Sequence, residues 1–344
     1  VNAVGRTLRA LDPGSFSSVM ATGIVSIAAS LHRWHALSVG LLWLSVGLYG
    51  VLVVAQPVRA VLYPDAVAAD MRVARKVFGM FTFVAATGVI GARVILDGHI
   101  AAAVVLLAVT AGSWVVSAYA LPLRAFTARS GEPVLARVDG TWFLWVVATQ
   151  SVAVLAAQVQ ARVLTGSDAL ALLAVFCWAV GVFLYMAVAL LVATRLVIHR
   201  VTPADLNGAY WVAMGATAIT VVAGASIAAM VDANLLRVVG STVEAVSVFF
   251  WAFGTWLVPP LVFAGYWRHV HHRVPFRYEL SLWAIVFPLG MYGVGSMQLG
   301  KVNDLPLLEQ IARIEIWLAL IAWSLTTAAW LTHGWVRRRD ARAA

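Results

Sequence analysis

The chain has 344 residues, of which 62% are apolar and 11% charged, and its mean hydropathy is +0.90. Soluble domains carry about 25% charged residues, so a soluble fold is excluded. The apolar residues fall in runs of about twenty, the length a helix needs to cross a bilayer. Ten such runs are predicted: 15–32, 36–56, 77–97, 99–121, 139–160, 169–194, 208–230, 238–262, 279–298 and 311–335. No long polar segment or low-complexity linker separates them, so residues 1–344 read as one all-α integral membrane domain. Residues 1–30 have the outline of a signal peptide, with Arg6 and Arg9 ahead of an apolar stretch. The membrane-span reading is preferred, because the same small-residue pattern returns at 85, where no cleavage signal belongs. The chain starts at Val1 rather than Met, which leaves residues upstream an open question.

In chain order, the odd-numbered spans share a small-residue core. The first reads "MATGIVSIA" from 20, the third "AATGVIGAR" from 85 and the fifth "VATQSVAVL" from 147. The seventh reads "GATAITVVA" from 215 and the ninth "PLGMYGVGS" from 288. These starts are 65, 62, 68 and 73 residues apart, the length of one helical hairpin, so the chain reads as five hairpins in series. The even spans carry bulky residues instead, including Trp43, Trp114, Trp178, Trp251 and Trp323. Small residues permit close helix packing, and they also permit thin walls around a lumen. Five thin spans alternating with five bulky ones favour the lumen, with the odd spans inside. The candidate lining is Val19, Thr22, Gly23, Val84, Gly88, Val146, Met214 and Gly290, with Phe287 and Pro288 in the ninth span.

The net charge of +9 records topology rather than a nucleic-acid partner. With ten spans, eighteen of the 24 Lys and Arg residues fall on the side of the termini. The other side has Arg33, Arg93, Arg162, Arg237, Lys301 and Arg313. Positive loops stay in the cytoplasm, so both termini are expected there, in a multi-pass protein of the plasma membrane. The single Cys177 lies within a span and excludes an intramolecular disulfide framework.

Phe287 lies eight residues beyond Glu279, about 12 Å into the membrane, near the middle of a core of about 30 Å. The positions aligned with it are Val19, Val84, Val146 and Met214, which would make a dry ring with one aromatic in it. A dry constriction can gate a pore, and a packed core phenylalanine is the other reading. Pro288 deprives the Ala284 carbonyl of its usual donor, and a water-filled cavity would supply one. Arg93, Glu244 and Glu315 lie inside spans, where charge is costly. Arg93 is expected to pair with Glu244 or Glu315; the other reading has it offering positive potential to an anion. The cluster "RHVHHR" at 268–273 reads as a topogenic loop rather than a metal site. "GSMQLGKV" at 295–302 fails as a phosphate loop, since Val302 stands where Ser or Thr is needed. No motif calls for a cofactor or a metal, and none supports an enzyme.

The segments "DPGSF", "ATGVIGAR" and above all "WAIVFPLGMYGVGS" at 283–296 resemble the tellurite-resistance/dicarboxylate transporter family. Its members include TehA-type bacterial proteins, fungal malate permeases and sulfite pumps, and slow-type plant anion channels. The resemblance implies five hairpins in quasi-five-fold array, odd helices lining a pore, and a homotrimer with one pore per protomer. It also implies that Phe287 blocks the pore at mid-membrane. Family inner helices are often bent by proline, whereas here only the ninth has one mid-span, at Pro288. The expected function is a conduit for small anions such as C4-dicarboxylates, sulfite, nitrate or chloride. An active sulfite or tellurite-related efflux pump is the alternative, and a membrane enzyme or non-conducting scaffold is the alternative of another class.

Overall fold

A computed structural model describes residues 3–128, 131–163, 167–231 and 234–343, with side chains up to residue 333. Arg129 and the side chains of Arg337, Arg338, Arg339 and Arg342, five of the eighteen basic residues assigned to the side of the termini, lie outside the described residues. Every regular element among the described residues is helical. Among the described residues ten helices are long and apolar enough to cross a membrane: α1 (Pro13–Leu31), α2 (His35–Leu62), α3 (Ala74–Asp97), α4 (Ile100–Thr127) and α5 (Gly140–Gln160), then α6 (Asp168–Ile198), α7 (Gly208–Ala228), α8 (Leu236–His271), α9 (Leu280–Val302) and α10 (Pro306–His333). The segment at 268–273, expected in a loop, is mostly helical, because α8 runs on through His271 in a π turn.

Burial separates the two sets. In the odd helices 72–89% of the most apolar window is buried, against 17–33% in the even ones. The even helices turn large side chains such as Trp43 and Phe183 outward, 68% and 76% exposed, as a lipid-facing surface requires. The buried helices close on themselves: α1 touches α3, α3 touches α5, α5 touches α7, α7 touches α9, and α9 touches α1. Each outer helix packs on the inner helix before it and on the one after it, and α10 completes the circuit by packing on both α9 and α1.

Small residues make this ring possible. A side chain at Gly23 would come within 2.7 Å of Val89 on α3, and one at Gly290 within 2.9 Å of Ile24 on α1. The threonines of the repeated core have a different task. Each outer helix reaches across to the inner helix of the next hairpin with an aromatic polar group. Tyr49 bonds with the Thr87 hydroxyl at 2.8 Å, Trp114 donates to Thr149 at 2.9 Å and Trp178 donates to the Thr220 carbonyl at 3.2 Å. Trp251 donates to Ser296 at 2.9 Å, and Trp323 donates to Thr22 at 3.1 Å, which joins the last hairpin to the first. Removing that closing bond with Trp323→Phe is expected to cost about 1 kcal/mol. Thermal unfolding in detergent measures it, and an unchanged transition would refute the role.

Candidate functional site

Three inner helices begin in the same way. Asp12, Asp139 and Asn207 each cap a short 3₁₀ turn by accepting a backbone N–H two residues on, at 2.8, 2.9 and 2.9 Å. Such residues satisfy the donors that a helix start leaves free. The N-terminal ends of all five inner helices surround one cavity of about 420 Å³. Ser17, Arg75, Thr141, Ala209 and Ser281 line it, one from each inner helix in turn. Its charged lining is Asp12, Arg75, Lys76, Arg268 and Glu279. Arg268 is paired with Glu279 at 2.9 Å and Lys76 with Asp70 at 2.6 Å, while among the described residues Arg75 makes no ion pair. Asp139 also accepts from the Thr141 hydroxyl and lies within the electrostatic reach of Arg75 and Arg195. Each of the five helix starts brings about half a positive charge to the cavity, while its cations Arg75, Lys76 and Arg268 are matched in number by Asp12, Asp70 and Glu279 in or beside the lining.

The deepest residue each inner helix contributes to the cavity is Met20, Thr82, Leu144, Val212 or Phe287, all but buried. Thr82 spends its hydroxyl on the Gly79 carbonyl at 2.6 Å, so the floor is dry. One turn beyond Phe287, Met291 lines a second, much smaller cavity of about 20 Å³, again walled by all five inner helices. Phe287, 2% exposed, therefore stands between two spaces inside the same ring. Pro288 backs it: a side chain at Gly215 would lie 2.9 Å from the Pro288 ring, so α7 supports the proline closely. Ala284, whose carbonyl loses its donor to Pro288, lines the larger cavity, where water can satisfy it.

The other candidate positions sit differently from the sequence register. Val19, Val84, Val146 and Met214 are buried but line neither cavity. Thr22 turns toward α10 and accepts from Trp323, and Gly23 and Gly290 lie at helix contacts. Gly88 both abuts Ser151 and lines the smaller cavity. Aligning the motif selected the residues that repeat, and what repeats is packing between helices. The residues facing the axis follow helical period instead, as in Ala284, Phe287, Met291, Val294 and Gln298. That periodicity, extended from Phe287, would have found Gln298 and, on α5, Leu144, Ser151 and Gln158.

Arg93 corrects another expectation. It pairs with neither Glu244 nor Glu315. Its Nη1 lies 2.7 Å from Asp97 on the same helix, without hydrogen-bond alignment. Its Nε and Nη2 donate to Ser38 at 3.1 and 2.9 Å, and Nε also to Ser26 at 3.0 Å. A carboxylate one turn along the same helix is already in reach, so no partner from another helix is needed. Arg93 thus stitches α3 to α1 and α2. Glu244 is exposed on α8. Glu315 packs beside Gly293, with one carboxyl oxygen buried and unpartnered among the described residues.

Comparison with known proteins agrees with this architecture. Residues 10–331 match the family model described as voltage-dependent anion channel. An uncharacterized membrane protein of Mycobacterium tuberculosis is 56% identical over 151 residues, 44% of this chain and 77% of that protein. An uncharacterized transporter of Methanocaldococcus jannaschii is 25% identical over 324 residues, 91% of this chain and 90% of its own length. A second transporter of that organism is 26% identical over 151 residues, 44% of this chain and 43% of its own. With ten membrane helices in a closed inner ring and a family match across nearly its whole length, this multi-pass membrane protein belongs to the voltage-dependent anion channel family.

Proposed function

We propose that the chain is a conduit for small anions of the C4-dicarboxylate, sulfite, nitrate or chloride class, running through the inner ring and closed by Phe287. The observation that carries this reading is a pair of cavities inside one ring, separated by a buried phenylalanine. The helix starts gathered at the wider end favour anions over cations, since each presents a partial positive charge. The dry floor supports a closed state, since an apolar constriction excludes water and with it ions. The conduit needs no cofactor and works as a homotrimer in the plasma membrane with one pore per protomer, an assembly that crosslinking in native membranes would test.

Purified protein in liposomes tests the conduit. Phe287→Ala should pass anions without any added cofactor, faster than the unsubstituted protein; no flux of any small anion from either would favour a non-conducting scaffold. The same reading puts the wide cavity and both termini in the cytoplasm, because positive residues concentrate on that side. Cysteines introduced at Asn2 and Ala343 should react with an impermeant reagent only after the cells are opened. Cys177, the one native cysteine, is buried and should stay silent. Labelling of either terminus from outside intact cells would reverse the orientation.

A further inference from the structure

The small cavity beyond Phe287 has a volume of about 20 Å³, close to what a single water needs. Its wall is mainly aliphatic, with Val89, Val154, Ile219 and Val294 among the lining. An anion there sheds most of its hydration and must find other donors. Ser151 is no help, since its hydroxyl donates to the Val147 carbonyl at 2.8 Å. The remaining polar side chains are Gln158 on α5 and Gln298 on α9.

These two glutamines differ from the others nearby. Gln150 donates to the Trp178 carbonyl at 3.2 Å and to Thr220 at 3.1 Å. Gln160 donates to the Val231 carbonyl at 2.6 Å and accepts from its N–H at 3.1 Å. Both are committed to holding helices and loops together. Gln158 and Gln298 are engaged by no described protein group, and each has its Oε1 buried without a partner. Their helices are not neighbours in the ring, for α5 touches α3 and α7 while α9 touches α7 and α1. The two amides therefore reach the cavity from opposite sides. Either can turn its NH₂ inward by rotating its terminal torsion.

We propose that Gln158 and Gln298 form an uncharged amide clamp on the ring axis, donating hydrogen bonds to a small, partly dehydrated anion and setting which anions pass. The proposal rests on the conduit reading above. An amide suits the task because it offers donors without a full charge, and conduction needs binding weak enough to release the ion. A leucine of similar size keeps the packing but removes the donors.

The test compares anion currents in planar bilayers, with Phe287→Ala as the open parent. Adding Gln158→Leu and Gln298→Leu should lower chloride current about tenfold, as expected for losing a hydrogen bond to a charge. It should also shift preference from chloride toward weakly hydrated anions such as iodide and thiocyanate. Gln158→Glu and Gln298→Glu keep the side-chain shape but present acceptors, and should suppress anion current more than leucine does. They also serve if the leucine variants fail to fold. Current and preference that ignore these substitutions would overturn the clamp while leaving the conduit standing. A parent that carries no anion current would overturn the conduit, and the clamp with it.

Discussion

Phe287→Ala is expected to open the ring, raising anion conductance well above that of the unsubstituted protein. Phe287 is the deepest residue α9 gives to the larger cavity, and Met291, one turn on, belongs to the smaller one. Deleting the ring joins the two spaces. The barrier removed is steric and dewetting, not a binding site, so current should rise without loss of anion preference. Pro288 remains supported against Gly215, so the helix keeps its course and stability should fall only modestly. A phenylalanine packed in an ordinary core behaves differently: its truncation costs about 3–5 kcal/mol and creates no path. Anion current and thermal stability measured on the same variant separate the two. Marked destabilisation with no gain in current would sink the gate.

Arg93→Met should damage folding more than any change at the axis. The arginine is fully buried and its guanidinium serves three helices through Ser26, Ser38 and Asp97. Asp97 keeps 32% of its side chain exposed and can turn to water, so the loss lies in the serine bonds, where hydrogen bonds to a charged group are worth about 1.5–3 kcal/mol each, and the neutral thioether restores none of them. Ser26 and Ser38 keep their reciprocal bonds to each other's carbonyls, at 2.6 and 2.7 Å, which limits the loss. Yield and thermal stability in detergent should both drop. Normal stability with altered anion preference would instead assign Arg93 to the permeation path.

Hydropathy and the repeated small-residue core were enough to read ten spans, their alternation into thin and bulky sets, and the hairpin period. Each of these is written in local composition: a bilayer demands long apolar helices, and closely packed helices demand small side chains. The importance of Phe287 was legible for a related reason, since the proline after it and its depth are properties of one segment. What each repeated residue faces was not legible. Thr22 and Gly23 follow Met20 by two and three residues, yet Thr22 binds Trp323 from the far end of the chain and Gly23 admits Val89. Helix rotation about its own axis is fixed only when the neighbours on both sides are in place.

Arg93 is the opposite case: its ionic partner Asp97 lies one turn along the same helix, while its hydrogen-bond partners Ser26 and Ser38 come from two other helices. The free state of Gln158 and Gln298, against the bound state of Gln150 and Gln160, had no trace in the sequence at all. All four are the same residue type on inner helices. The sequence by itself determined that this chain would bury five thin helices behind five bulky ones, because side-chain volume and hydropathy set which faces can meet lipid. Only the tertiary structure decided which side chains look onto the axis, because closing the ring from α9 back to α1 fixes the rotation of every helix in it.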